Sequence, residues 1–159
     1  MAALTGRRVL VTGAAGFIGS HLTRRLAGDG ADVHALTSAV SSVYPTRLLD
    51  LRNDITLHEG NLCDRSAMDA VVRRVRPEIV FHLGAYTHVA KSWDRVDECV
   101  QTNVQGTVNL LQALAGTDYE RFVYTGTSEI YGDIDVPFQE DDVVNPVSPY
   151  SVAKYAGER

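Results

Sequence analysis

Short apolar runs rich in β-branched residues recur along this chain, and stretches with helical spacing lie between them. Val9-Leu10-Val11 comes first, and the helical pattern after it runs through Phe17, Ile18, Leu22 and Leu26. Residues 31–36 (ADVHAL) read as a second strand and 55–59 (ITLHE) as a third. A helix through Met68, Val71, Val72 and Val75 follows, with Asp64 or Ser66 as its N-cap. Pro77 stops that helix, and the apolar run 78–83 (EIVFHL) suits a strand buried on both faces of a parallel sheet. One long helix is predicted over 94–115, with Val96, Val100, Val104, Val108, Leu111 and Leu114 at its apolar positions and Gly116 ending it. Residues 121–125 (RFVYT) form a fifth strand, and Pro149-Tyr150 opens a last helix. Strand–helix alternation of this kind predicts an α/β fold of Rossmann type, a doubly wound parallel sheet with helices on both faces.

Between the first strand and first helix lies a glycine turn with the spacing G-x-x-G-x-x-G: Gly13, Gly16 and Gly19. A plain βα turn would also contain glycines. In a dinucleotide fold Gly13 allows the tight turn, Gly16 lets a pyrophosphate approach the backbone, and Gly19 lets the helix pack closely on the strand. The helix's first N–H groups then face the phosphates from its positive end.

Composition narrows the picture further. With 159 residues and 45% hydrophobic content the chain is long enough for one domain with a real core, of a soluble globular kind. A net charge of −5 argues against a nucleic-acid partner. No apolar run approaches the roughly 20 residues that cross a bilayer, so no membrane role is expected. Cys63 and Cys99 lack metal or redox spacing, so free thiols in a reducing, cytoplasmic setting and no metal site are predicted.

Chemistry-bearing residues cluster late. Thr127 and Glu129 follow the fifth strand, where active groups of such folds lie. Tyr150 and Lys154 are four apart, on one face of a helix. An ammonium beside a phenol favours the phenolate and makes it a general acid or base.

The glycine spacing, with Thr12 before it and Phe17-Ile18-Gly19-Ser20-His21 after Gly16, resembles the extended short-chain dehydrogenase/reductase family. Those are NAD(P)-dependent enzymes that mostly act on nucleotide-sugars. The resemblance implies a cofactor site at Gly13, Gly16, Phe17, Ile18 and Gly19, then Thr37 and Ser38 at the end of the second strand. Thr37 and Ser38 stand where an acidic residue would select NAD, so NADP is permitted and both cofactors stay open. Arg47 lies further along that loop. GDP-mannose 4,6-dehydratases, which use NADP, have a similar loop with arginines where this chain has Ser38 and Ala39. Asn61, in Gly60-Asn61-Leu62, takes the place of the acidic residue that touches the adenine amino group; its amide oxygen can accept the same bond.

The stretch HLGAYTHVAKSW resembles the family's segment beside the nicotinamide ribose and sugar. On that likeness Leu83, Gly84, Ala85 and Thr87 face the cofactor and Ser92 the substrate. His82 reads as a core histidine with a satisfied ring. Asn103 is expected to brace the site through backbone contacts. Tyr150 would take the proton from a sugar 4-hydroxyl, Lys154 would hold the cofactor ribose, and Thr127 would bond the same sugar oxygen.

Thr127-Ser128-Glu129 before an apolar residue and Tyr131-Gly132 resembles GDP-mannose 4,6-dehydratases, and also UDP-glucuronate decarboxylases. Glu129 is then the base for the C5 proton, and Ser128 stands on the substrate side where dTDP-glucose 4,6-dehydratases have Asp. A 4,6-dehydratase leads; a 4-epimerase, a decarboxylase and a binding-only NAD(P) sensor or structural subunit are the alternatives. Family members are about twice this length, so an N-terminal portion with little turnover alone, lacking the substrate domain, is expected. So is a homodimer through the helices at 94–115 and 150–159, with Ala153, Ala156 and Gly157 packing closely.

Overall fold

In the computed structural model residues 4–38, 45–133 and 137–159 are described. Among them, β1 (Arg8–Thr12), β2 (Asp32–Thr37), β3 (Ile55–Glu59), β4 (Ile79–His82) and β5 (Arg121–Tyr124) form one sheet. All neighbours are parallel. The spatial order is β3-β2-β1-β4-β5, so the winding reverses between β1 and β4.

β1 is central, and Val9, Leu10 and Val11 are fully buried because both faces of the sheet are covered. On one face α1 (Phe17–Gly28) and the 3-10 turn Thr46–Leu51 set Leu26, Leu48 and Leu51 against Val9, Val11, Val33 and Ala35. On the other, α2 (Arg65–Val75) and α4 (Gly106–Leu114) set Met68, Val72, Leu110 and Leu114 against Leu10, Leu36 and Val80. The doubly wound Rossmann-type architecture expected from the alternating pattern is the one observed.

Local signals act as their chemistry dictates. Asp64 caps α2, its carboxylate accepting from the N–H of Ser66 at 2.9 Å and of Ala67 at 3.1 Å. Arg76 ends α2 in the left-handed region (φ 48°), immediately before Pro77. The last helix, α5 (Pro149–Glu158), starts from a reciprocal cap in which the Ser148 hydroxyl accepts from Ser151 N–H and the Ser151 hydroxyl accepts from Ser148 N–H, each at 3.0 Å.

One element departs from expectation. The single helix predicted over 94–115 is instead α3 (Val96–Val100), a π turn at Gln101–Gln105, and α4. The wider turn carries Asn103 to the inside, 1% exposed, where its amide is engaged by a distant backbone segment. Apolar periodicity alone does not register such an inserted residue.

Candidate functional site

A cleft of about 1060 Å³ opens at the carboxyl ends of β1, β2, β4 and β5, where the winding reverses. Its floor is the glycine turn. Gly13 has φ +67°, and a Cβ there would lie 2.7 Å from the Gly84 nitrogen. A Cβ on Gly19 would lie 2.1 Å from the Gly13 carbonyl oxygen, so α1 packs onto the turn itself rather than onto the strand. Gly16 is the N-cap of α1 and offers no side chain to the first turn, which also lacks an acidic residue. The opening N–H groups of α1 are therefore unclaimed at the cleft. Phe17 and Ile18 stand exposed at its rim.

Behind the turn runs a buried hydrogen-bond chain. The Gly84 N–H donates to Thr12 Oγ1 at 2.9 Å, and Thr12 Oγ1 lies 2.7 Å from His82 Nδ1. His82 Nε2 lies 3.1 Å from Thr107 Oγ1, and the Thr107 hydroxyl donates to the Asn103 carbonyl at 2.7 Å. Every donor finds an acceptor only if His82 is neutral with its proton on Nε2. Burial pushes its pKa down to about 3, with the Lys154 charge adding to the effect, so the neutral ring is the stable one. His82 is thus the satisfied core histidine that the sequence predicts.

The chain closes on the segment after β4. Asn103 Oδ1 accepts from the Tyr86 N–H at 2.8 Å, and its Nδ2 donates to the Tyr86 carbonyl at 3.1 Å. This is the backbone bracing expected of Asn103.

On the opposite wall α5 brings Tyr150 and Lys154 to the cleft one turn apart. Lys154 is only 4% exposed, and its Nζ donates to the Thr125 carbonyl, just past β5, at 2.6 Å. Burial pulls its pKa down to about 8 against the opposing charge of Glu158. A glycine cradle, a helix start and a buried lysine one turn after a tyrosine thus share one cavity.

The profile of the family described as GDP-mannose 4,6 dehydratase matches residues 10–159. The chain belongs to that family. It is 36% identical over 168 residues to a dTDP-glucose 4,6-dehydratase of Neisseria meningitidis, covering 96% of this chain and 47% of that protein. Among solved structures, the UDP-glucose 4-epimerase of Thermotoga maritima with UDP-glucose superimposes with a TM-score of 0.85 at 33% identity, covering 94% of this chain and 48% of that one. The Brucella ovis UDP-glucose 4-epimerase in complex with NAD does so with a TM-score of 0.85 at 28% identity, over 96% and 46%. The chain spans about half the length of the curated relatives it matches. These findings agree with the resemblance to extended short-chain dehydrogenase/reductases.

Several of the predicted site residues share the cleft. Thr37, Ser38, Asn61, Leu62, Leu83, Gly84, Ala85 and Thr87 all line the cleft with the glycine turn. Ala39 lies outside the described residues. Arg47 sits exposed in the 3-10 turn Thr46–Leu51 and does not line the cleft.

Others are placed differently. Asn61 Oδ1 already accepts from the Cys63 N–H at 2.9 Å, a local turn that leaves its amide NH₂ as the free end. Ser92 does not line the cleft: it is fully buried, donates to the Val89 carbonyl at 2.6 Å and accepts from the Tyr150 N–H at 3.2 Å. The 3-10 turn Ala90–Trp93 tucks it under the first turn of α5. Thr127 caps a 3-10 turn, Ser128–Tyr131, accepting from the Glu129 N–H at 3.2 Å. Neither Thr127, Ser128 nor Glu129 lines the cleft; Thr125 and Gly126 do.

Gly157 and Ala153 turn inward, and a Cβ on Gly157 would lie 2.7 Å from both Asn103 O and Tyr124 Oη. Their close packing is within the chain. Thr107 and Tyr124 carry no signal in the sequence for their places here, and Thr12 is marked there only by its position before the glycine turn.

Among the described residues no helix is long and apolar enough to cross a membrane, and no three His, Cys, Asp or Glu side chains converge on a metal-sized site.

Proposed function

We propose that this protein is an NAD(P)-dependent nucleotide-sugar 4,6-dehydratase. The observation that carries the reading is the buried Lys154, one turn after Tyr150, in the same cleft as the uncapped start of α1. Gly13 and Gly19 have no room for a side chain against the backbone of Gly84 and of Gly13, and Gly16 leaves the first N–H groups of α1 without a side-chain cap, which is the donor set a pyrophosphate takes. NAD is favoured by the NAD-bound epimerase of similar fold. Thr37 and Ser38 at the end of β2 raise no charge against the 2′-phosphate of NADP.

The bound nicotinamide would accept the hydride from sugar C4 and later return it. Tyr150 would take the proton from the C4 hydroxyl, with Lys154 one helical turn away holding the ribose. Thr127 would bond the same oxygen and Ser128 would stand on the substrate side. With C4 a ketone the C5 proton is acidic; Glu129 would remove it and pass it to the C6 hydroxyl, which leaves as water, after which the hydride would return to C6 and Tyr150 would give its proton back to C5.

A 4-epimerase is the second reading. It is favoured by the solved structures that are UDP-glucose 4-epimerases and by the position of Glu129 outside the cleft lining.

Product mass separates the readings. The protein is incubated with GDP-mannose, dTDP-glucose, UDP-glucose and UDP-glucuronate. Loss of one water that disappears in Glu129→Gln supports the dehydratase. An isomer of unchanged mass supports the epimerase, and loss of carbon dioxide a decarboxylase. Cofactor binding without any product, in a chain as long as the curated relatives, would mean a binding-only protein.

Assembly is proposed on a second observation. Val96, Val100, Val108, Leu111 and Val152 are exposed along α3, α4 and α5. An apolar stripe of this kind suits a homodimer through these helices. Val100→Asp should then convert a dimer to a monomer in analytical ultracentrifugation. The unpaired Cys63 and Cys99 suit a reducing, cytoplasmic setting.

A further inference from the structure

We propose that Tyr124 is a positioning residue for Lys154, its ring forming the floor under the ammonium and its hydroxyl tying down the backbone of the same lysine. Lys154 Nζ lies 4.2 Å from the centroid of the Tyr124 ring. The Tyr124 hydroxyl donates to the Lys154 carbonyl at 3.0 Å. One side chain on β5 therefore holds both ends of one residue on α5.

The need for it is physical. A buried ammonium has three N–H groups to satisfy, and the one described hydrogen bond of Lys154 Nζ goes to Thr125 O. The negative face of an aromatic ring is a second partner for the charge, and its value grows as water is excluded. The hydroxyl end stays a donor throughout the working range. Burial pushes the Tyr124 phenol up to about 12, with Glu158 and Tyr150 acting in the same direction. Gly157 leaves the space for that hydroxyl.

Other titratable groups do not replace the ring. On α5 itself Glu158 acts on Lys154 and Tyr150 is one turn away. His82 on β4 is neutral. The elements packed on α5 carry Asp97, Glu98 and Cys99 on α3, Glu129 and Tyr131 on the turn Ser128–Tyr131, and Lys91 on the turn Ala90–Trp93. None of these is among the groups that act on Lys154.

The proposal rests on the reading of Lys154 as the partner of Tyr150, and the test separates the two. The protein is prepared with Tyr124→Phe and with phenylalanines of increasing ring fluorination at position 124, which weaken the ring's negative face at nearly constant shape. The protonation midpoint of Lys154 is followed by NMR of its Nζ and Cε, without turnover.

Tyr124→Phe should titrate close to the unsubstituted protein. Full fluorination should lower the midpoint by about 0.5–1 pH unit, in step with fluorine number. A midpoint indifferent to fluorination, or one raised by it, would overturn the proposal. If the midpoint moves but a chain as long as the curated relatives turns over no nucleotide-sugar, the floor stands and the dehydratase reading falls.

Discussion

Asn103 clasps the backbone of Tyr86 from both sides, Oδ1 taking its N–H at 2.8 Å and Nδ2 giving to its carbonyl at 3.1 Å. The clasp joins a π turn to the segment that follows β4, two parts of the chain that border the same cleft. Asn103→Leu keeps much of the volume and orphans two buried backbone groups. Stability in urea should fall by about 2–4 kcal/mol. A loss under about 0.5 kcal/mol would mean that water takes over the clasp.

The histidine chain behind the glycine turn predicts an acid limb of stability. His82 is neutral when folded, with a pKa near 3, and titrates near 6.5 when unfolded. The unfolded chain therefore binds the extra proton first. Its stabilising contribution is complete above pH 6.5 and is lost as pH falls toward about 3. The slope approaches about 1.4 kcal/mol per pH unit for this one group. Urea unfolding of His82→Gln from roughly pH 6 down to 4.5 should show a shallower slope than the unsubstituted protein. Equal slopes would assign the acid limb elsewhere.

Gly19 offers a direct test of the cofactor cradle. An added methyl would meet the Gly13 carbonyl oxygen at 2.1 Å, so the turn has to move. Gly19→Ala should weaken NADH binding by at least about tenfold, roughly 1.4 kcal/mol, in a fluorescence titration. Far-ultraviolet circular dichroism would check that the sheet persists. Unchanged affinity in a folded variant would remove the turn from the binding site.

Ser92 distinguishes a buried support from a sugar ligand. Its hydroxyl takes the N–H of Tyr150 in the first turn of α5. Ser92→Ala should cost about 1 kcal/mol of stability, the scale of a lost helix cap. The KM for a nucleotide-sugar should hardly move. A raised KM at unchanged stability would return Ser92 to the substrate side.

Much of the molecule follows from local pattern. Strand–helix alternation specifies a parallel sheet, because each crossover helix must cover a face. The glycine spacing specifies a tight turn, since Gly13 needs a positive φ and Gly19 has no room for a side chain. Asp64 marks a helix start through bonds made within a few residues, and Pro77 and Pro149 mark helix ends through a fixed ring and a missing N–H. The pair Tyr150 and Lys154 is legible because four residues are one helical turn.

Contacts between distant segments were decided only by the tertiary structure. Ser92 reaches Tyr150 across 58 positions, and Thr12 reaches His82 across 70. Whether a serine faces a sugar or the start of a helix depends on how α5 settles over the turn Ala90–Trp93. Asn61 had an adenine partner by resemblance, yet the nearby Cys63 N–H takes its oxygen. The π turn at Gln101–Gln105 holds Asn103, whose amide bonds the distant Tyr86 backbone. Periodicity records which side of an element is apolar, and burial on both faces of β1 obeys it. It carries no information on which polar group meets which, because that requires two segments to arrive at one place.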